Sequence, residues 1–314
     1  RSPLEIAIGL FFLGLFASIY HPVGIAMIVQ GREKVGRVLG INGVWGNMGL
    51  AAAALVAGAL GDWISWRAAF YIPGAVALLT GFIYVAASRS WPSADKIAAP
   101  KKENMMAAIA SSPEARQAMW RVIAILGTAA LLVGLVFQTS TIALPKLFEE
   151  GLYDITSSGL GVGGLVSLAI GVAAFTQIAS GLLVDRFPIK TVWIGALFLQ
   201  VPLLIVVGLI SQVGLLIAAF ALLVIIFGEI PIQDALLTRH TPDHLRSRIF
   251  GLKFALALGA SALAVPIIAA LHAPGGGFIW LFAMLASCAL AVGFAAIWLP
   301  MRPRHLEAGA TAGN

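Results

Sequence analysis

The sequence predicts an all-α integral membrane protein with about nine transmembrane helices. Hydrophobic residues occupy 60% of the 314 positions and charged residues only 11%, whereas roughly a quarter of the residues in a soluble domain are charged. The apolar residues fall in blocks of about 20 or more, and at ~1.5 Å per residue each block is long enough to cross a hydrocarbon core of ~30 Å. Most of the chain is therefore expected to lie in lipid.

Charged residues, glycines and prolines separate these blocks and so delimit the helices. Three helices are expected before a long polar stretch and six after it. The predicted spans are 4–29, 38–60, 67–87, 121–144, 159–184, 191–211, 213–238, 249–271 and 278–299.

The polar stretch also divides the chain into parts. It predicts a partial N-terminal bundle over 1–87, a cytoplasmic linker over 88–120, a C-terminal six-helix bundle over 121–300 and a cytoplasmic tail over 301–314. Attraction of the linker to anionic lipid head groups is the alternative interpretation. The chain opens at Arg1 and enters an apolar segment almost at once, so its start is expected to be truncated.

Basic residues are distributed unevenly across the predicted membrane. If the chain starts outside, the cytoplasmic segments hold 17 of the 20 basic residues, and the outer segments keep Arg1, Arg67 and Lys146. An excess of Lys and Arg marks the cytoplasmic side. The expected location is a bacterial inner (plasma) membrane with the C-terminus in the cytoplasm. The cytoplasmic basic residues are Arg32, Lys34, Arg37, Arg89, Lys96, Lys101, Lys102, Arg116, Arg121, Arg186, Lys190, Arg239, Arg246, Arg248, Lys253, Arg302 and Arg304.

The same composition limits the possible partners. The net charge of +6 is explained by this topology, so no nucleic-acid partner is expected. Cys288 is the single cysteine, which excludes a disulfide framework and a cysteine-based metal cluster. No cofactor and no metal site are predicted.

The chain also contains an internal repeat. A shift of 211 positions lays residues 36–41 over 247–252 and the first three predicted helices over the last three, without a gap. Two halves of the same orientation, joined by a basic cytoplasmic linker, are the parallel repeat of one class of secondary transporter.

These features resemble the major facilitator superfamily, whose members have two six-helix halves. The repeat makes the chain similar to family helices four to twelve. Segment 181–190 resembles the family's cytoplasmic loop signature, Gly-x-Leu-x-Asp-Arg-x-Gly-Arg-Lys/Arg, and segment 66–70 at an outer turn also resembles the family. The signature is matched by Gly181, Leu183, Asp185, Arg186 and Lys190, whereas Pro188 and Ile189 depart from it.

The loop signature has a physical interpretation of its own. Gly181 has no side chain, so a neighbouring helix can approach it closely. Asp185 can accept hydrogen bonds from the N-terminus of a neighbouring helix, whose dipole favours an anion. Such a contact would hold one end of a pore closed, and the alternative is an ordinary charged turn.

Two acids, Glu229 and Asp234, fall inside the seventh predicted helix, where ionisable groups are costly and usually paired or functional. Glu229 is expected near mid-membrane facing the central cavity, as a proton-binding or substrate-binding group; a structural carboxylate with a partner is the alternative. Asp234 and Lys253 are nearly equidistant from the turn between their helices, which predicts an ion pair. With Arg186 and Arg248 they could instead form a gate network.

Further polar residues are expected to line the cavity. The repeat places His21 near the depth of Glu229, and a histidine can relay protons, although a packing role is the alternative. Tyr20, Gln138, Thr139 and Gln233 complete the predicted lining, while Asn42, Asn47 and Gln177 are expected to join helices.

The resemblance implies a secondary active transporter that moves a small solute by alternating access. Protons are the expected driving ion, and both efflux and uptake stay open. A non-transporting membrane sensor or a membrane enzyme is the alternative, but no nucleotide-binding loop or nucleophile elbow is present, so an enzyme is not expected. The expected partners are the small-molecule substrate, protons and the lipid bilayer, and the protein is expected to be a monomer.

Overall fold

A computed structural model describes residues 3–30, 34–89, 113–156, 159–241, 246–272 and 277–299. Ten α-helices make up the regular structure of these ranges. They are α1 Pro3–Val29, α2 Gly36–Trp63, α3 Ala68–Ser88, α4 Pro113–Gly151, α5 Gly159–Arg186, α6 Ile189–Leu209, α7 Gln212–His240, α8 Arg246–Gly259, α9 Ser261–Leu271 and α10 Ile279–Ile297.

The helices confirm an all-α membrane fold. Among the described residues, eight segments are long and apolar enough to cross a membrane, and α8 with α9 forms one of them. These segments correspond to eight of the nine predicted spans. The remaining prediction, 38–60, falls on α2, whose 28 residues extend ~42 Å at the rise of an α-helix.

Two of the predicted spans differ clearly from the helices of the structure. The predicted span 249–271 is interrupted at Ala260, whereas α2 continues through Gly49, the position that the repeat places opposite it. Helix α4 begins at Pro113, inside the predicted linker, and ends at Gly151. Residues 90–112 of that linker and the predicted tail over 301–314 lie outside the described residues.

In chain order the helices fall into two groups, α1–α3 and α4–α10, separated in the sequence by residues 90–112. The most extensive helix pairs are α2 with α5, α6 with α10, α5 with α7 and α6 with α7. Contacts of α1 with α8 and of α2 with α7 add to the junction between the groups. The junction is thus formed mainly by α2 against α5, and the candidate site lies along it.

Many large apolar side chains face outwards, as expected where lipid is the solvent. Phe11 of α1 and Phe82 of α3 are more than half exposed. Trp63, Trp66 and Trp280 are exposed at helix ends on the side opposite Asp185, where the amphipathic indole suits the interface between hydrocarbon and head groups.

Candidate functional site

Asp185, in the last turn of α5, binds the start of α2. The backbone N–H groups of Gly36 and Arg37 donate to its two carboxylate oxygens, each over 3.0 Å. The first N–H groups of a helix lack partners within the helix, and the helix dipole favours an anion there. No side chain caps this terminus from Val35, so the cap comes from the other helix group. The predicted contact of Asp185 with a helix N-terminus is confirmed.

The helices α2 and α5 approach so closely because glycines face each other. A Cβ atom added to Gly36 would clash with the backbone carbonyl of Gly181, and one added to Gly181 would clash with the carbonyl of Gly36. The close approach predicted at Gly181 is thereby confirmed. It brings the N–H groups of α2 within hydrogen-bonding reach of Asp185.

The close packing continues two turns further along α2. A Cβ at Gly40 would clash with the backbone carbonyl of Gln177, and one at Gly43 with the side-chain carboxamide of Gln177. We call the contact formed by Gly36, Gly40, Gly43, Gln177 and Gly181 the seam. Gln177, predicted to join helices, lies at the contact of α5 with α2, but its Oε1 and Nε2 are buried without a hydrogen-bond partner.

The other residues of the loop signature lie away from the seam. Arg186 is exposed. Lys190, at the start of α6, donates from Nζ to the carbonyls of Ile297 (2.7 Å) and Leu299 (2.5 Å). Because α6 and α10 belong to the same group, Lys190 caps the end of α10 and forms no part of the seam.

The predicted ion pair of Asp234 and Lys253 is confirmed, and it joins α7 to α8. The side chains are 6% and 11% exposed, respectively, so the pair is largely removed from solvent. Arg248, predicted with them as part of a gate network, is exposed.

His21 of α1 lies against the same region from the other helix group. Its ring stacks on Phe254 of α8 with centroids 4.5 Å apart and lies within electrostatic range of Asp234 and Lys253. Tyr20 is exposed, and its hydroxyl is 3.5 Å from Asn42 Oδ1. The packing role that was the alternative for His21 therefore has a partner in Phe254.

Glu229 is enclosed between α7 and α6. Its side chain is 1% exposed, and its Oε1 accepts hydrogen bonds from Trp193 Nε1 at 2.7 Å and Gln233 Nε2 at 3.0 Å. Its Oε2 is buried without a partner. The predicted exposure of Glu229 to a central cavity is thus not found in this conformation, because Trp193 draws the carboxylate towards α6. Its role in binding a proton or substrate stays a prediction.

The remaining predicted lining residues are dispersed. Gln138 of α4 is half-buried, whereas its neighbour Thr139 is fully buried with an unpartnered hydroxyl oxygen. Asn47, predicted to join helices, donates to the carbonyl of Gly43 within its own helix.

Two residues that the sequence did not single out support the site. Trp193 holds Glu229, and Arg239 of α7 donates to the carbonyl of Val184 at 3.1 Å, at the end of α5 beside Asp185. The signal that could have identified Arg239 is its position in the last turn of α7, on the same predicted cytoplasmic side as the loop signature. Trp193 carries no such signal, since it lies close to one end of α6 and reaches Glu229 only through its long side chain.

A comparison with protein families agrees with this architecture. The family model described as Major Facilitator Superfamily matches residues 1–252, which is most of the chain and includes α1–α7 and the loop signature. The chain belongs to the Major Facilitator Superfamily. No curated protein matches it.

Membership of the Major Facilitator Superfamily identifies the chain as a multi-pass membrane transporter. The seam between α2 and α5, closed by Asp185, is therefore a contact between the two helix groups of a transporter.

Proposed function

We propose that this protein is a secondary active transporter that moves a small solute by alternating access, with protons as the driving ion. The observation that carries the proposal is the cap that Asp185 of one helix group places on the N-terminus of α2 in the other. Two hydrogen bonds and a run of backbone contacts hold α2 against α5, and they can separate without unfolding either helix. Such a junction suits a gate that opens and closes on each cycle.

The gate is assigned to the cytoplasmic side of a bacterial inner membrane. Lys34, Arg37, Arg186 and Lys190 lie at the Asp185 end of the helices, and an excess of basic residues marks the cytoplasmic side. The conformation described here is then closed towards the cytoplasm, with the C-terminus on the same side.

Glu229 is the proposed proton-binding acid of α4–α10. It is an acid buried within a transmembrane helix, and one of its oxygens has two donors while the other has none. A proton on Oε2 would remove the charge without disturbing either hydrogen bond at Oε1. Release of that proton requires water, so Glu229 would lose the proton when the helices around it separate.

Asp185→Asn tests the gate. The neutral amide loses the attraction to the helix N-terminus, and it offers one acceptor oxygen in place of two. The closed state should then be weakened by roughly 1–2 kcal/mol, or about five- to thirtyfold in its population relative to the open state. In a Cys288→Ser background, a cysteine at buried Val44 of α2 should react correspondingly faster with a water-soluble maleimide, while exchange of radiolabelled solutes in proteoliposomes slows.

The matched control is Arg186→Gln, which changes the adjacent but exposed residue. It should leave the alkylation rate within about twofold of that of the parent, since charges on exposed side chains contribute little. An Asp185→Asn variant with unchanged alkylation would argue against a gate. Failure of a broad solute panel to show saturable exchange would favour a non-transporting sensor.

A further inference from the structure

The seam contains one polar group that the closed conformation leaves unsatisfied. The carboxamide of Gln177 is fully buried, and both of its polar atoms are without a hydrogen-bond partner. It lies against the backbone of α2, where Gly43 has no side chain to contact it and where a Cβ would clash with it. In the closed seam this amide is therefore removed from water and forms no hydrogen bond in exchange.

The polar groups beside Gln177 along α5, and Gly43 opposite it on α2, have partners of their own. Along α2, the carbonyl of Gly43 already accepts from Asn47 Nδ2 at 3.0 Å. On α5, the hydroxyl of Thr176 donates to backbone carbonyls, including that of Val224 on α7, and the hydroxyl of Ser180 donates to the carbonyl of Gln177 itself. Both of these hydroxyl hydrogens on α5 are thus donated to backbone oxygens.

Asp185 and Gln177 act in opposite directions on the same pair of helices. Asp185 lies two turns from Gln177 on α5 and gains two hydrogen bonds on closure. Gln177 is shielded from water in this closed conformation, and water could reach its carboxamide only if α2 moved away. The two effects are of comparable size, because a buried unsatisfied amide and a charged helix cap have free energies of the same order.

We propose that the desolvated carboxamide of Gln177 destabilises the closed seam and so keeps it close in free energy to the open state. Without Gln177, the cap from Asp185 and the glycine packing would favour the closed seam more strongly. Gln177 offsets that stability without touching either the cap or the glycines. The inference rests on the proposed alternating-access function and assigns Gln177 a conformational role within it.

Gln177→Leu tests this role because leucine fills a similar volume and needs no hydrogen bond. It should favour the closed state, so that alkylation of a cysteine at Val44 slows about fivefold or more in the full-length chain with Cys288→Ser. Gln177→Met, an unbranched apolar replacement, should also slow the alkylation. This second variant keeps the test available if the leucine variant does not fold.

Gln200→Leu is the matched control. Gln200 is also buried with both amide atoms unpartnered, but it lies on α6, which packs against α7 and α10 of the same group. This substitution should raise the thermal stability of the protein without slowing the alkylation.

The outcomes separate this inference from the proposed function. Slower alkylation in the Gln177 variants alone supports the inference. Unchanged or faster alkylation in those variants, or equal slowing in Gln200→Leu, would overturn it, while an accelerating Asp185→Asn variant would leave the gate itself intact. An alkylation rate that none of the variants alters, Asp185→Asn included, would overturn both.

Discussion

At the scale of single residues, the candidate site depends on how each buried polar side chain replaces the water it loses. Asp185 receives two backbone N–H groups, and Asp234 receives the ammonium of Lys253. Glu229 is satisfied at one oxygen only, and Gln177 at neither polar atom of its side chain. Buried polar groups are normally paired. A change of conformation would therefore affect the hydrogen bonding of Glu229 and Gln177 more than that of Asp185 and Asp234.

Glu229→Gln should separate proton coupling from binding. The amide oxygen can keep the hydrogen bonds from Trp193 and Gln233, and its NH₂ group takes the place of Oε2, but the side chain no longer takes up a proton. The variant should lose nearly all accumulation of solute driven by a proton gradient, yet retain exchange between equal solute pools in proteoliposomes. Trp193→Phe, which removes one donor but keeps the acid, should retain accumulation. Intact accumulation in Glu229→Gln would exclude Glu229 as the coupling acid.

Lys253→Met should destabilise the protein by about 3–5 kcal/mol, because it leaves the carboxylate of Asp234 buried and unpaired. Removing both charges in Asp234→Asn with Lys253→Met should restore most of that loss, since neither partner is then left uncompensated. Thermal unfolding in detergent measures both effects, with exposed Arg248→Gln as the control. A double variant as unstable as Lys253→Met would show that the loss of stability does not come from the unpaired charge of Asp234 alone.

At the scale of helices, the decisive feature is how closely α2 and α5 pack. A helix that presents a glycine to another helix allows backbone-to-backbone contact, which in lipid compensates for the lack of a hydrophobic driving force between helices. Gly36 and Gly181 make this contact at one end of the seam. The hydrogen bonds of Asp185 depend on the resulting distance.

Gly181→Ala should open the seam. Its methyl group would clash with the backbone of Gly36, so α2 must move away and the bonds to Asp185 must lengthen. We expect about a tenfold faster alkylation of the cysteine at Val44, equivalent to ~1.4 kcal/mol. In Gly195→Ala the added Cβ meets nothing within 4 Å, and the substitution should be neutral or stabilising by up to ~1 kcal/mol. Equal alkylation in the two variants would contradict the role of close packing.

At the scale of the whole molecule, the two helix groups and their orientation define the transporter. The parallel repeat predicts that α1–α3 superpose on α7–α10 by rotation about an axis along the membrane normal, and this stays a prediction. The interruption at Ala260, opposite continuous helix at Gly49, already shows that the two triplets differ locally. Ala260 follows Gly259, which has open space around it.

The orientation is testable by labelling from each side of the membrane. Arg186 and Tyr153 are both exposed. Arg186 ends α5, whereas Tyr153 lies in the loop before the start of α5, at the opposite end of the helix. In a Cys288→Ser background, Tyr153→Cys should react with an impermeant maleimide in intact cells, and Arg186→Cys only after permeabilisation. The reverse pattern would invert the topology and place the gate on the outer side.

Several features of this protein follow from the sequence alone, because they depend on position along the chain and on depth in the membrane. Hydropathy decides which segments span, and the distribution of Lys and Arg predicts which side each loop occupies. Equal distances from a common turn were enough to pair Asp234 with Lys253. A glycine and an aspartate one helical turn apart were enough to predict a close contact with another helix terminus.

The tertiary structure decided everything that depends on the rotation of a helix about its axis and on its lateral neighbours. Hydropathy is similar around a helix surrounded by lipid and apolar side chains, so it did not show that Glu229 faces Trp193 on α6. Nor did it show that Gln177 faces the glycines of α2 without a partner. These orientations result from how closely particular surfaces can pack, and that is set by pairs of helices far apart in the chain.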